Sequence, residues 1–217
     1  MKHLESTNNS DPYKKHAETY DKYVEPLNKT LRKIVLRMSP PEPGMKVLEV
    51  GCGTGSNLKL YQEAGCRVSG LDLSPSMLAK ARDKLDSQAG LCLGNGTRMP
   101  FSNDTFDLVV VMLMLHELPT IFRLPVIQEM ARVVTPVGHL LFVDYHPGPL
   151  QFPMGWVRKA IMYFLEIAAG REHFKNYRAY LTAKGLPPLI QAHPLSIEKQ
   201  KIISGGNMTL ILAGKSS

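Results

Sequence analysis

Three glycines take alternate places in VLEVGCGTG, residues 47–55: Gly51, Gly53 and Gly55 follow an apolar run that carries Glu49. Glycine admits positive φ and has no Cβ, so a ligand can lie against bare main chain at such a turn. Seventeen residues past Gly55, a second apolar run, CRVSGLDL, reaches Asp72. A carboxylate there can accept from both hydroxyls of a ribose. Phosphate binding is disfavoured. The dinucleotide pattern G-x-G-x-x-G needs glycine at position 56, where Ser56 stands, and the Gly-Lys-Ser/Thr of a Walker loop is absent. Glycine loop and acid together describe a seat for a nucleoside without a diphosphate, and S-adenosylmethionine is a ligand of that kind.

Proton-transfer candidates lie further along. Histidine titrates near neutral pH and is the obvious general base. His116 stands in LHEL, His146 in VDYHP beside Tyr145 and Asp144, and His173 in GREHFKNY. His116, His146, Tyr145 and His173 are the catalytic candidates, His116 the first among them. Glu117 can serve as a helix cap or ion-pair partner.

The elements that must position these residues follow from hydrophobic periodicity. Residues 13–38 read as a helix with Leu27, Leu31, Ile34, Val35 and Met38 on one stripe, stopped by SPPEPG. Apolar strands at MKVLEV, CRVSGLDL, LCLG, FDLVVVML and GHLLFVDY then alternate with helices at 56–63, from Ser74-Pro75 to Leu85, and at 124–134. The tail reads as a proline-rich bend at 147–153, helices at 154–168 and 172–184, and two closing strands, LIQAHPLS and NMTLILAG, antiparallel to each other. This order predicts an α/β fold: a Rossmann-like, seven-stranded, mostly parallel sheet with helices on both faces and an antiparallel terminal strand. Residues 1–217 read as one domain, with a helical cap at about 12–40 and a variable lid or substrate segment at about 147–185.

With 44% hydrophobic and 21% charged residues the chain has globular composition. Its net charge of +7 favours acidic partners without selecting one. Cys52, Cys66 and Cys92 lack metal-ligand or disulfide spacing. The start MKHLESTNNS has no apolar stretch of a signal peptide, and the longest apolar run, LVVVMLML, is far too short to span a bilayer. The expected location is cytoplasmic.

VLEVGCGTG, GLDLSPSMLAKAR, GNGTRMPF and FDLVVVMLMLHEL, in this order and spacing, resemble the class I S-adenosylmethionine-dependent methyltransferases, closest to their UbiE-like subgroup. The resemblance covers roughly residues 13–145 and the closing strands. It implies that Gly51, Cys52, Gly53 and Gly55 form the loop along the methionine moiety, with Glu49 near its ammonium. It places Asp72 on the ribose, Leu73 and Met77 beside the adenine, Asn95 and Gly96 at the adenine edge, and the backbone of Val111 and Met112 at the amino-acid end. Asn95 departs from the acid usual there. AETYDKYV is similar to a segment that folds over the cofactor, with Tyr20 the contact. His116 falls where many relatives carry a histidine close to the methyl donor. Some catechol methylases hold magnesium after strand five, where Asp144 stands, but their further acid and Asp-Asn pair are missing here. No metal is expected.

The segment PGPLQFPMGWVRKAIMYFLEIAAGREHF carries the only tryptophan, Trp156, other aromatic residues, and the pair Arg158-Lys159. Such a helix can close over an apolar pocket or rest on a membrane surface, and it can also simply pack on the sheet. The expected acceptor is a small lipophilic molecule, a quinol ring methylated at carbon or a phospholipid amine methylated at nitrogen, with peripheral membrane contact. Nucleic acid is not expected: MLMLHELP stands where base methylases carry D/N-P-P-Y/F, and no aromatic-basic array appears. A cofactor-binding relative without catalysis, or a methyltransferase of another small-molecule or protein substrate, are the alternatives. The sequence carries no signal of oligomeric state.

Overall fold

The computed structural model describes Asp11 and residues 25–216. Tyr20 and most of the expected N-terminal cap lie outside the described residues. Helix α1 (Glu25–Met38) leads into β1 (Lys46–Val50), α2 (Ser56–Glu63), β2 (Arg67–Asp72), α3 (Pro75–Lys84), β3 (Gly90–Leu93), β4 (Phe106–Met112), α4 (Thr120–Val133) and β5 (Val134–Tyr145). The remainder is α5 (Met154–Ala168), α6 (Arg171–Thr182), α7 (Leu186–Gln191), β6 (Leu195–Ile203) and β7 (Met208–Lys215).

One sheet runs in the order β3-β2-β1-β4-β5-β7-β6. β1 pairs in parallel with both β2 and β4, and β7 runs antiparallel between β5 and β6. Strand order reverses at β1 and β4, and a crevice opens beyond the carboxyl ends there. The central strands are apolar on both faces because helices cover both. Val47, Leu48, Leu108, Val109, Val110, Leu140, Leu141 and Phe142 have no exposed surface.

One expectation needs correction. LIQAHPLS is not a strand. Leu186–Gln191 forms a short helix with proline in its first turn, and Leu186 and Ile190, four apart, are both buried. The sixth strand begins at Leu195 and continues through SIEKQKII, whose side chains are almost all exposed. As an edge strand it needs no apolar face, so periodicity does not reveal it. On α5, Val157, Ile161, Phe164 and Leu165 are all exposed, as are Trp156 and Ile167. The buried or half-buried stripe is Gly155, Lys159, Met162, Tyr163 and Glu166. This helix turns its apolar face outward and Lys159 and Glu166 inward.

Candidate active site

The glycine loop is laced to β2. Gly51 and Cys52 donate their N–H groups to the Leu71 carbonyl at 2.8 and 3.1 Å. Gly53 donates to Asp72 Oδ2 at 2.8 Å, and Ser74 donates to Oδ1 at 2.9 Å. The three glycines share positive φ, 71°, 53° and 74°, but do different work. At Gly53 a Cβ would meet nothing within 4 Å, so the open side faces the crevice. At Gly55, which begins α2, a Cβ would press on Ala81 and Leu85 at 3.1 Å, so this glycine lets α2 and α3 approach.

A cavity of about 360 Å³ occupies the crevice. Gly51, Gly53, Asp72, Leu73, Met77, Asn95, Gly96 and Met112 lie in its wall. Leu73 is 55% exposed although apolar. Ser74 caps α3, its Oγ accepting from Met77 N at 3.1 Å, which sets Met77 under the same wall. Asn95 Oδ1 accepts from the N–H and hydroxyl of Thr97 at 2.9 and 3.0 Å, closing the turn and turning its amide group to other partners. Glu129 and Arg132 on α4 brace this loop. Met99 N donates to Glu129 at 2.7 Å, and Arg132 donates to the Met99 and Phe101 carbonyls. The bonded guanidinium of Arg132 holds the Glu129 carboxyl below its ordinary range.

A smaller cavity of about 40 Å³ adjoins the loop, lined by Glu49, Cys52, Gly53, Asn57 and Met112. Asn57 donates to Glu49 at 3.2 Å, and both are buried. Burial, with the charges of Glu49 and Asp72, pushes the Cys52 thiol well up, so it stays protonated. Val111 is sealed within the sheet and touches neither cavity. Burial also raises the Asp72 carboxyl above its usual range, against the bonds from Ser74 and Gly53.

Sequence reasoning missed several wall residues: Leu118, Pro119, Phe122 and Val126, contributed by α4 and the turn before it. Their signal was an apolar cluster around proline, which reads equally as core. Asp11 was also missed; it accepts from the Ser74 hydroxyl and Ser76 N at 2.9 Å, at the head of α3.

Of the catalytic candidates, His116, Tyr145 and His173 converge, and His146 stands apart. His116 Nδ1 lies 2.7 Å from Asp144 Oδ1. Its Nε2 faces Glu166 at 3.7 Å and Glu117 at 4.0 Å. Tyr145 donates its hydroxyl to Glu166 Oε1 at 2.7 Å, and His173 Nε2 is 2.7 Å from Glu166 Oε2. Burial alone would lower the His116 pKa, but Asp144, Glu117 and Glu166 push it up to about 9. Burial raises the Tyr145 phenol, and its bond to Glu166 adds to this. His146 Nδ1 instead accepts from Gly148 N at 3.2 Å, within the bend after β5. None of the four lines the larger cavity. Glu117 does, and so connects its wall to the His116 group.

Other chains are similar to this one in sequence and fold. A family model described as a methyltransferase domain matches residues 48–142. The demethylmenaquinone methyltransferase of Bacillus cereus is 31% identical over 184 residues, spanning 78% of this chain and 75% of the relative. The same enzyme from Bacillus mycoides matches to the same extent. In fold, a Pyrococcus horikoshii protein superimposes with a TM-score of 0.68 at 16% identity, covering 93% of this chain and 99% of that one. A methyltransferase from Aquifex aeolicus that depends on S-adenosylmethionine superimposes with a TM-score of 0.61 at 18% identity, covering 94% and 98%. The open turn at Gly53, the acid at Asp72 and this kinship agree, and the chain belongs to the class I S-adenosylmethionine-dependent methyltransferases of the UbiE-like kind.

Proposed function

We propose that this enzyme methylates a lipophilic acceptor met at a membrane surface, with a quinol ring carbon favoured over a phospholipid amine. The observation that carries the reading is the outward apolar face of α5. Phe152, Trp156, Ile161 and Phe164 are between 55% and 86% exposed on one short segment. A monomer rarely displays so continuous a patch without something to cover it. Next to it Arg171, Lys175 and Arg178 line a shallow basic groove on α6. Apolar anchors beside cations suit an anionic bilayer. Among the described residues no helix is long and apolar enough to cross a membrane, so this contact is peripheral. The similarity to demethylmenaquinone methyltransferases supports the quinol as the acceptor.

The residues fit S-adenosylmethionine, since the Gly53 side of the crevice is open and Leu73 is uncovered. The cofactor supplies a methyl group on a sulfonium, whose charge disappears on transfer. The protein therefore needs alignment and exclusion of water more than an anion hole. In this reading Asp72 holds the ribose, Leu73 and Met77 clasp the adenine, and Asn95 meets its edge. Glu49 and the loop backbone hold the amino-acid end. Residues 147–185 close over the acceptor. Glu117, on the cavity wall, takes the proton that the acceptor loses.

The test uses Trp156, the only tryptophan, as its own reporter. Its emission should shift to the blue on vesicles rich in anionic phospholipid and stay unchanged on neutral ones. Labelled cofactor should methylate a demethylated quinol carried in the same vesicles. An unshifted emission together with equal turnover of a water-soluble acceptor would reject the reading.

A further inference from the structure

The inward face of α5 presents groups that a lid does not need. Glu166 is 5% exposed and meets His116 and His173 so that one ligand atom from each lies within 4.8 Å of the others. We propose that His116, Glu166 and His173 form a binding site for a divalent transition-metal ion of the zinc type.

Two features separate this group from an ordinary buried ion pair. The first is the outer support of two of the three ligands. A histidine that binds metal through one ring nitrogen almost always gives the other N–H to a carboxylate or carbonyl, and a ligating carboxylate is itself hydrogen-bonded. Here His116 Nδ1 is held by Asp144 Oδ1 at 2.7 Å, which leaves Nε2 facing the group. The Glu166 carboxylate takes the Tyr145 hydroxyl at 2.7 Å. The second is convergence. Two imidazoles reach one carboxylate, His116 Nε2 at 3.7 Å from Oε1 and His173 Nε2 at 2.7 Å from Oε2, and a metal would displace the proton that the closer pair shares.

Two imidazoles and one carboxylate with a fourth position open is a ligand set that zinc accepts. Bond lengths of about 2.0–2.1 Å place tetrahedral ligand atoms about 3.3 Å apart. His116 Nε2 and Glu166 Oε1 at 3.7 Å need a small contraction, and His173 Nε2 and Glu166 Oε2 at 2.7 Å must open as their shared proton leaves. His173, partly exposed on α6, is the side from which an ion enters. The three ligands come from the turn after β4, from α5 and from α6, so the ion would join the lid to the sheet. Nothing in their spacing along the chain announces a metal site, because no two lie within a short motif.

The experiment is titration of the full, chelator-treated chain with Co²⁺, followed by visible d–d absorption, with Zn²⁺ competition and elemental analysis for stoichiometry. One equivalent should bind with the absorption of a four- or five-coordinate site, and Zn²⁺ should displace it. His173→Ala, at a partly exposed position, should abolish the band. Asp144→Asn should weaken binding roughly ten- to hundredfold through His116. His139→Ala, next to Glu198 on the sheet, should leave it unchanged. Cofactor binding by each variant, measured by calorimetry, reports that it is folded. The proposal is overturned if the wild-type chain takes up no Co²⁺, or if His173→Ala binds as the wild type does. Neither result bears on the vesicle test, so the site and the acceptor reading fail separately.

Discussion

The N–H of Gly53 donates to the Asp72 carboxylate at 2.8 Å, so the acid facing the crevice also holds the loop opposite it in shape. Asp72→Asn keeps the size of the side chain and removes its charge. A hydrogen bond to a charged group contributes about 1.5–3 kcal/mol. Calorimetry should therefore show S-adenosylmethionine binding weakened by roughly ten- to hundredfold. Asp72→Ala should cost more, because the loop then loses its tie as well.

Acid should weaken the cofactor before it unfolds the protein. Burial raises the Asp72 carboxyl, so it takes up a proton at a higher pH than a free aspartate. Once protonated it is a poorer acceptor for ribose hydroxyls. Affinity should fall as the pH drops through this raised value. The folding contribution has the opposite sign. Between the unfolded and folded values the native state binds more protons, so this group alone disfavours folding as pH rises. Cofactor affinity and the melting temperature of the free enzyme, measured across the acid range, should separate the two in wild type and in Asp72→Asn.

Arg123 is a structural cation. It is 1% exposed, donates to the carbonyls of Leu115, Leu118 and Asn176, and lies over the Tyr180 ring at 5.3 Å. Arg123→Met fills similar space but removes the guanidinium donors from three carbonyls. The expected loss is about 3 kcal/mol in urea denaturation. A loss under about 0.5 kcal/mol would show that water replaces the guanidinium freely.

The outward face of α5 predicts an unusual mutational pattern. Phe164→Ser and Ile161→Ser should change stability by no more than about 0.5 kcal/mol, as surface substitutions do. Leu141→Ala, fully buried in β5, should cost about 2–5 kcal/mol. Chemical denaturation of the three variants decides this. If the two serine variants unfold as readily as Leu141→Ala, α5 is packed in solution.

The sequence discloses most of the sheet because five strands are apolar runs and turn signals bound them. β6 escapes because an exposed edge strand resembles any polar segment. The helix at Leu186 escapes because its two buried leucine and isoleucine positions are too few to reveal a period. The glycine loop, Asp72 and the adenine-side residues are legible because each answers a local demand, bare backbone or a lone acid at a strand end. Glu166 is not. It is one acid within an apolar helix, and its meaning depends on Tyr145, His116 and His173, which only the tertiary fold brings together. The direction of the α5 stripe is likewise invisible, since periodicity gives a face but not what that face meets.

The start of α5 rests on the turn between β6 and β7. Gly155 and Gly205 leave no room for a side chain between them, and Asn207 donates to the Gly155 and Ser204 carbonyls at 2.8 Å. The helix is thus moored twice, at its start by close-packed main chain and near its end by Glu166, which Tyr145 and His173 hold. A bulky residue at Gly155 would prise the first mooring apart and strain the second.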